Sequence, residues 1–369
     1  MNGVFFADYV AAFAEAGARV GVVYPDLIGL RFFRRGRNIP LRPELHAEIA
    51  ADQPVVRVRG LHTSLGLPGL QMFRFRGWLR DGLASYRADH GEPDVLHAMC
   101  AIPAGWACTH LEDPLARRVV ITEHTGPFSL ALKPRGAGWY VRTALAKAAA
   151  VFSVSQHGRG EMRAAGITRD IEVCGNPVSD PFLKLDVPAR RPNGLLRALF
   201  VGRLAVEKGI GELAAAATTL GQASKVEWHF VGDGPMKPSI TARFVAARMS
   251  DRLVLHGECD RPTVARLMTE SDFLVLPTYG ETFGLAVAEA LCTGLPVITS
   301  RGTACADFIG EADGLLTDKQ NIPSLVAVLR KMADTHARFD RQAIAARARA
   351  RFSGAAVAEN YANTYRGLM

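Results

Sequence analysis

The chain has 369 residues, too many for one compact core and about the right number for two domains of ordinary size. Apolar residues make up 49% of it and charged residues 22%, a globular balance that excludes a disordered protein. There is no run of about 20 apolar residues, and residues 1–20 lack the early basic cluster of a secretory signal, so we expect a cytoplasmic protein.

The net charge of +8 predicts a surface that attracts phosphates, anionic lipid or nucleic acid. Nucleic acid is not expected as a partner, because no recognition motif accompanies the charge. Two segments, residues 31–37 and 73–78, mix arginine with aromatic residues. They are consistent with either a solvated basic face or docking to an anionic membrane surface. Six scattered cysteines without a CxxC pair favour reduced thiols over disulfides or a zinc site.

Apolar runs alternate with helical patterns along the chain, which is typical of βα units and a mainly parallel sheet. In the first half this alternation predicts, in chain order, a helix over 7–18, strands over 20–24, 94–97 and 119–122, a helix over 144–150 and a strand over 151–155.

A proline-rich stretch with little periodicity, residues 175–193, follows and reads as a linker. The second βα series predicts strands over 199–201, 228–231, 253–255, 273–276 and 297–299. Two Rossmann-like halves would bind a ligand in a cleft at the carboxyl ends of both sets of strands.

The most informative stretch, residues 273–297, is predicted to be a strand, a tight loop, a helix that begins near Thr282 or Phe283 and ends at Gly294, and a second strand. The first amides of such a helix point at an anion. We therefore expect Phe283, Gly284 and Leu285 to contact a phosphate, and Gly284 lets it approach closely.

Two carboxylates belong to the same stretch. Glu281 precedes the helix and can reach the hydroxyls of a bound sugar, while Glu289 lies further along the helix and can accept two hydrogen bonds from a ribose diol. Two cations, Arg203 and Lys208, follow the strand that ends near Gly202, where they can neutralise a diphosphate.

Other strand ends are more ambiguous. Gly232 and Gly234 form a glycine-rich turn after a strand, and His256 follows the next strand, where its loop could flank a nucleobase. In the first half, His124 ends a strand beside Glu123 and is a candidate catalytic residue. Neither a Ser/His/Asp triad nor a metal-spaced cluster nor a Walker loop occurs in the sequence.

Taken together, these motifs resemble those of the family 4 retaining glycosyltransferases with the GT-B fold. The resemblance rests on the following segments of this chain: Gly202–Gly209, Gly232–Pro235, Glu281–Val297, Asn2–Phe5, Asp94–Ala98, Pro103–Gly105, Thr122–His124 and Gly175–Val178. It covers nearly the whole chain, and the glutamate motif in its strand–helix setting is highly specific.

The resemblance implies roles for individual residues. Arg203 and Lys208 would bind the donor pyrophosphate, Glu281 the transferred sugar and Glu289 the ribose. The amides of residues 283–285 would hold phosphate and sugar, and His124 would face the reacting centre. His124, Glu281, Lys208 and Arg203 would be the catalytic residues. Gly3, Gly232, Gly234 and His256 would line the donor site.

The resemblance also implies the partners and the domain plan. The donor would be a UDP- or GDP-sugar used without a metal, and the acceptor a glycan or lipid-linked hydroxyl in bacterial surface polysaccharide or lipopolysaccharide synthesis, with peripheral contact at the inner face of the plasma membrane. Residues 1–178 would form an acceptor-side domain, 179–193 a linker, 194–351 the nucleotide-sugar domain, and 352–369 a last helix that crosses back to the first domain.

Three departures from the family pattern keep alternatives open. The chain starts inside the family's first glycine-rich loop, so we expect the preceding strand to be missing; residues 302–307 replace a Gly-Gly-Pro-Glu loop; and Met99 stands where a second histidine often follows His97. A non-catalytic nucleotide-sugar binder therefore remains an alternative, as does a GT-B sugar-nucleotide epimerase.

Overall fold

A computed structural model describes residues 4–29, 42–50, 52–62, 68–134, 136–187 and 194–369. The predicted donor residue Gly3 and the basic segment 31–37 lie outside these ranges. The chain divides into two units. Unit 1 comprises Met1–Gly175 and Val357–Met369, and unit 2 comprises Asn176–Ala356.

Unit 1 is an α/β unit that contains seven of the described strands. Its strands are β1 (Val22–Gly29), β2 (Glu44–Ala50), β3 (Gln53–His62), β4 (Leu96–Met99), β5 (Val119–Glu123), β6 (Ala150–Ser153) and β7 (Glu172–Val173). Its helices are α1 (Val4–Glu15), α2 (Pro68–His90), α3 (Trp106–Thr109), α4 (Ser129–Leu132), α5 (Ala137–Lys147) and α6 (Gln156–Ala164).

The strands of unit 1 form two sheets. One has the order β1-β3-β2, in which β2 runs antiparallel to β3, and the other is fully parallel with the order β4-β5-β6-β7. Strand β5 is buried along its whole length, as expected for a central strand of a parallel sheet covered on both faces.

The C-terminal helix belongs to unit 1 from Val357 onward. It packs there through Tyr361, whose hydroxyl lies 2.9 Å from Thr122 Oγ1 on β5, and Tyr365, whose hydroxyl lies 2.6 Å from His97 Nδ1 on β4. Tyr361 is fully buried among aromatic neighbours. Burial of large rings with satisfied hydroxyls ties this helix firmly to the four-stranded sheet.

Unit 2 contains the second series of strands and helices. Its strands are β8 (Leu196–Val201), β9 (Val226–Val231), β10 (Leu253–Gly257), β11 (Phe273–Leu276), β12 (Val297–Ser300) and β13 (Gly314–Thr317). Its helices are α7 (Asp180–Leu183), α8 (Ile210–Leu220), α9 (Lys237–Ala246), α10 (Arg261–Thr269), α11 (Leu285–Cys292), α12 (Ile322–Thr335) and α13 (Arg341–Phe352); α14 (Gly354–Arg366) ends the chain.

The six strands of unit 2 form one parallel sheet with the order β10-β9-β8-β11-β12-β13. The order reverses between β8 and β11, so the loops that follow these two strands diverge to opposite faces and leave a crevice at their carboxyl ends. Such a switch point is the usual ligand site of an open α/β sheet. The loops after β8 and β11 carry the residues that the sequence predicts to bind the donor.

Several predicted elements are confirmed, and others are displaced. Strand 273–276 is confirmed residue for residue. The predicted helix 144–150 is wrong in its limits: the helix spans Ala137–Lys147, because Ala148 is extended and the next strand already begins at Ala150. The strand predicted over 20–24 starts at Val22 and runs to Gly29.

Candidate functional site

Two loops of unit 2 bring oppositely charged side chains together. Lys208 lies on the loop after β8 and Glu281 on the loop after β11, two strands that are direct neighbours in the sheet. The Lys208 ammonium contacts the Glu281 carboxylate, and the side chains are 24% and 17% exposed. Both side chains are therefore partly accessible from solvent at the switch point, where the charged or polar groups of a ligand can replace the contact between them.

Hydrogen bonds to one backbone carbonyl hold the loop after β8 against the loop after β11. The Tyr279 amide donates to Glu207 O over 2.9 Å, and the Thr278 hydroxyl donates to the same oxygen over 3.1 Å. At Gly209, with φ +67°, an added Cβ would lie 1.9 Å from Pro277 O. Glycine is required there because both the left-handed backbone and the close approach exclude a side chain.

A second tie between the loops was missed by the sequence interpretation. The Tyr279 hydroxyl donates to the Glu212 carboxylate on the first turn of α8. Burial and the neighbouring Glu212 carboxylate raise the pKa of Tyr279 to about 12, so its hydroxyl keeps its proton. Its position in the loop between β11 and Glu281 was the available signal, but the partner 67 residues away could not be inferred.

Helix α11 begins later than predicted. Its first residue is Leu285, and Gly284 is its N-cap with φ +91°. The expected start at Thr282 or Phe283 is wrong because the left-handed backbone at Gly284 interrupts the helix. The cap has no side-chain hydrogen bond, so the first helical amide, that of Leu285, lies at the positive end of the helix dipole. Phe283 is 4% exposed and contacts Phe308 and Phe352 instead of solvent.

The altered loop supports this helix start. Residues Ala304–Phe308 form a short 3-10 helix, and Cys305 is fully buried beneath Gly284. A Cβ on Gly284 would lie 2.1 Å from Cys305 Sγ. Burial and the nearby Glu281 carboxylate raise the pKa of the Cys305 thiol, so it stays a neutral packing group.

The other two charged residues that the sequence predicts to bind the donor are Glu289 and Arg203. Glu289 lies on α11 and is 8% exposed. Arg203 is 67% exposed, and its guanidinium lies 3.6 Å from the Glu207 carboxylate, four residues further along the same loop. Their roles toward ribose and pyrophosphate stay predictions.

The glycine-rich turn after β9 shapes the backbone around β8. A Cβ at Gly232 would lie 2.1 Å from Gly202 O, and one at Gly234 would lie 2.4 Å from Leu204 O. The Gly232 amide also donates to Gly257 O over 2.7 Å. Both glycines therefore let the loops after β8, β9 and β10 pack closely, which is compatible with a donor site but fully explained by packing.

His256 belongs to a chain of hydrogen bonds that the sequence interpretation did not foresee. Its Nε2 lies 2.9 Å from His229 Nδ1, and His229 Nε2 lies 2.7 Å from the Glu227 carboxylate. Burial lowers the pKa of both histidines, and the Arg197 charge lowers both further. Alternate positions on β9 place Glu227 and His229 on one sheet face, a pattern visible in the sequence once the strand is assigned.

The candidate residues of the first half lie in unit 1. His124 packs edge-on against Phe6 and Tyr9, with ring centroids 5.6 and 5.7 Å away. Burial, and secondarily repulsion from His97 when both rings are protonated, lowers the pKa of His124 to about 3, so His124 is neutral at physiological pH. The Glu123 carboxylate accepts the amides of Ala101 and Thr125 over 2.9 and 2.8 Å, which makes it a backbone-holding group.

Among the described ranges, no three histidine, cysteine, aspartate or glutamate side chains converge on a metal position. In the same ranges no helix combines the length and the apolar character that crossing a bilayer requires.

Comparison with known proteins places these features in a family context. The model of Glycosyltransferase Family 4 matches residues 3–180, and the model of Glycosyl transferases group 1 matches residues 196–335. A Bacillus subtilis glycosyltransferase assigned to teichuronic acid biosynthesis is 27% identical over 247 residues, which cover 65% of this chain and 61% of that protein. The first matched relatives are spanned over only 53–64% of their own lengths.

Solved structures share the fold. Sucrose-phosphate synthase from Thermosynechococcus elongatus superposes with a TM-score of 0.72 at 22% identity, over 99% of this chain and 92% of that one. Anabaena HepE, solved with UDP, superposes with a TM-score of 0.68 at 15% identity, over 94% of this chain and 100% of that one. The predicted fold class, with two Rossmann-like units, is confirmed.

Proposed function

Because this chain belongs to the GT-B glycosyltransferases of the family 4 type, we propose that it transfers a sugar from a nucleoside-diphosphate donor to an acceptor hydroxyl. The observation that carries the proposal is the contact of Lys208 with Glu281 at the switch point of the unit 2 sheet. A cation and a carboxylate held side by side suit a ligand that has a diphosphate next to a polyhydroxylated ring.

Each charge then has a role. Lys208, joined by the exposed side chain of Arg203, binds the pyrophosphate, and the first amide of α11 donates to one of its oxygens. Glu281 leaves its lysine partner and accepts hydrogen bonds from the sugar hydroxyls. Glu289 accepts from the ribose.

The same groups can stabilise the negative charge that develops during sugar transfer. Breaking the bond between the anomeric carbon and the diphosphate oxygen places negative charge on the leaving group, and Lys208, Arg203 and the helix dipole stabilise that charge in place of a metal. The acceptor oxygen bonds to the same face of the anomeric carbon, and its proton passes to a phosphate oxygen of the leaving group. The reaction thus retains the anomeric configuration. His124 of unit 1 is proposed as a further catalytic residue.

A UDP- or GDP-sugar is the proposed donor, and a glycan or lipid-linked hydroxyl of a bacterial surface polysaccharide is the proposed acceptor. The relative assigned to teichuronic acid biosynthesis supports this setting. A lipid-linked acceptor would bring the protein to the inner face of the plasma membrane.

Turnover of the full chain with a panel of UDP- and GDP-sugars tests the proposal. We expect transfer by the wild type and a loss of about 100-fold or more in kcat/KM for Lys208→Ala and for Glu281→Ala, because each removes a charge that contacts the reacting part of the donor. Unchanged turnover in both variants would overturn the assignment. Lys331→Ala is the control, since this lysine is exposed on α12, away from the loops after β8 and β11 in the sequence.

The same assay separates the two alternatives. Donor binding without transfer or hydrolysis would indicate a non-catalytic binder, and an isomerised donor in the absence of acceptor would indicate an epimerase.

A further inference from the structure

Unit 1 exposes large apolar side chains at the starts of neighbouring helices. Phe73 on the second turn of α2 is 53% exposed, and Trp139 on the first turn of α5 is 59% exposed. Leu70, one turn before Phe73, and Leu130 on α4 are 37% and 42% exposed. We refer to these four residues as the apolar patch. Exposed apolar side chains grouped on one face mark candidate interaction surfaces.

Ring contacts link Phe73 to Trp139 through Trp106, which is itself buried. The Phe73 ring centroid lies 5.5 Å from that of Trp106, Trp106 lies 5.2 Å from Tyr140, and Tyr140 lies 4.9 Å from Trp139. A Cβ on Gly69 would lie 2.7 Å from the Tyr140 hydroxyl, so the starts of α2 and α5 touch. Phe73 and Trp139 are thus the two exposed ends of one row of four rings.

The charge around the apolar patch is positive. The segments 68–80 and 129–147, which supply all four residues, contain lysine and arginine but neither aspartate nor glutamate. Lys133, Arg142 and Lys147 are exposed, and the Arg76 guanidinium lies 5.3 Å from the centroid of the Phe73 ring. Glu112 contributes one carboxylate, 3.9 Å from Arg76.

We propose that the apolar patch docks unit 1 onto an anionic lipid bilayer. Tryptophan and phenylalanine favour the headgroup level of a bilayer, where the ring is partly apolar and partly wet. The surrounding lysines and arginines are attracted by the anionic headgroups near the membrane surface. The choice of a bilayer as partner rests on the proposed lipid-linked acceptor, whereas the surface itself is defined by exposure and charge.

Trp139 provides an internal reporter of the contact. The other three tryptophans, Trp78, Trp106 and Trp228, are 8%, 2% and 1% exposed. We expect vesicles of phosphatidylglycerol and phosphatidylcholine with brominated acyl chains to quench the emission of the full chain, and pure phosphatidylcholine vesicles to quench it far less. Trp139→Phe should lose the quenching but still co-sediment with the anionic vesicles.

A double variant tests how much the two exposed rings contribute to binding of the vesicles. Phe73→Ser with Trp139→Ser should lower the partition coefficient onto the anionic vesicles by about tenfold or more, because two exposed rings no longer enter the interface. Val245→Ser is the control, since Val245 is 58% exposed on α9 of unit 2. Raising the salt concentration should weaken wild-type binding.

Three results would overturn the docking proposal: wild type that stays in solution with anionic vesicles at low salt, a double variant that sediments like wild type, or binding to polyglutamate in place of lipid. Vesicle binding needs no nucleotide, so it is independent of catalysis. Sugar transfer to a water-soluble acceptor, measured on the same samples, tests the proposed function separately. Transfer without vesicle binding would refute the docking proposal alone. Vesicle binding without transfer would support docking and refute the proposed function.

Discussion

At the scale of single residues, the two units use buried polar groups in different ways. Unit 1 places His97 between Thr122 and Tyr365, where it is largely buried and hydrogen-bonded at both ring nitrogens. Unit 2 keeps Lys208 and Glu281 partly accessible. The first arrangement fixes a helix against a sheet, and the second leaves charges available to a ligand.

Burial of His97 makes the stability of unit 1 depend on pH. Burial lowers the pKa of His97 to about 3, below the value of about 6.5 in an unfolded chain. The unfolded state therefore takes up the proton first, so stability is fully present above pH 6.5 and falls as the pH drops from there toward 3, at about 1 kcal/mol per pH unit. Urea unfolding of wild type at a series of pH values measures the summed slope of His97 and His124, since burial lowers the pKa of both.

His97→Gln isolates the contribution of this one group. The variant should be less stable at pH 7, because it disturbs the contacts to Thr122 and Tyr365, but its stability should depend less on pH between 6.5 and 4.5. His46→Gln, at a site whose side chain is 54% exposed, is the control and should keep the wild-type slope. Equal slopes in wild type and His97→Gln would contradict the account.

At the scale of elements, two arginines on α13 donate to carbonyls near the ends of other helices. Arg341, 9% exposed, donates to Ser271 O and Thr269 O at the end of α10. Arg349 donates to Cys292 O at the end of α11 over 2.9 Å. Terminal carbonyls lack helical partners, so a cation there supplies both a hydrogen bond and a favourable charge.

Arg341→Met should therefore destabilise unit 2 by about 3 kcal/mol, because two buried carbonyls lose a charged donor. Arg347→Met is the matched control on the same helix: Arg347 is 47% exposed and pairs with Asp313, so we expect a loss of less than about 1 kcal/mol. Chemical denaturation followed by circular dichroism gives both values. Equal effects of the two substitutions would show that the carbonyl contacts are not the cause.

Gly209 tests how tightly the two donor loops are held together. Gly209→Ala should cost about 3 kcal/mol, because it strains a left-handed backbone and drives a Cβ against Pro277 O. Gly136→Ala meets a comparable left-handed backbone, with φ +82° and ψ −7°, but has nothing within 4 Å, so about 1 kcal/mol is expected. Thermal unfolding measures both losses. A Gly209→Ala substitution that costs no more than Gly136→Ala would contradict the close approach of the loops.

The accuracy of the sequence interpretation followed the strength of each local pattern. Strand 273–276 was predicted to the residue because its apolar run is continuous and ends at Pro277. The start of α11 was wrong because Gly284 was assigned to the helix, although its left-handed backbone makes it the cap. Strand β2 was missed because all seven of its residues are exposed and give no buried pattern.

In the candidate site, too, residues with a clear local pattern were predicted and long-range contacts were not. The sequence predicted Lys208 and Glu281 from their positions at strand ends, and the structure brings them into contact. It could not predict the tie from Tyr279 to Glu212, the thiol of Cys305 beneath Gly284, or the hydrogen bonds from His256 through His229 to Glu227. These contacts join residues distant along the chain or on different strands, and local patterns carry no information about them.

At the scale of the whole molecule, we propose different functions for the two units. Unit 2 has an unbroken parallel sheet whose strand order reverses beside the Lys208–Glu281 pair, and we assign donor binding to it. Unit 1 has two smaller sheets, the helix that ends the chain, and the apolar patch. Acceptor recognition, and contact with the bilayer that would present a lipid-linked acceptor, are accordingly proposed for unit 1.

The central claim is that Lys208 binds the donor diphosphate while Glu281 binds the sugar, and calorimetric titration of the full chain tests it most directly. Each variant is titrated with the nucleoside diphosphate and with the corresponding nucleotide sugar. Lys208→Ala should weaken binding of both ligands by about tenfold or more, because both contain the diphosphate. Glu281→Gln should weaken only the nucleotide sugar and leave the nucleoside diphosphate bound as in wild type. Wild-type affinities of both variants for both ligands would contradict the claim.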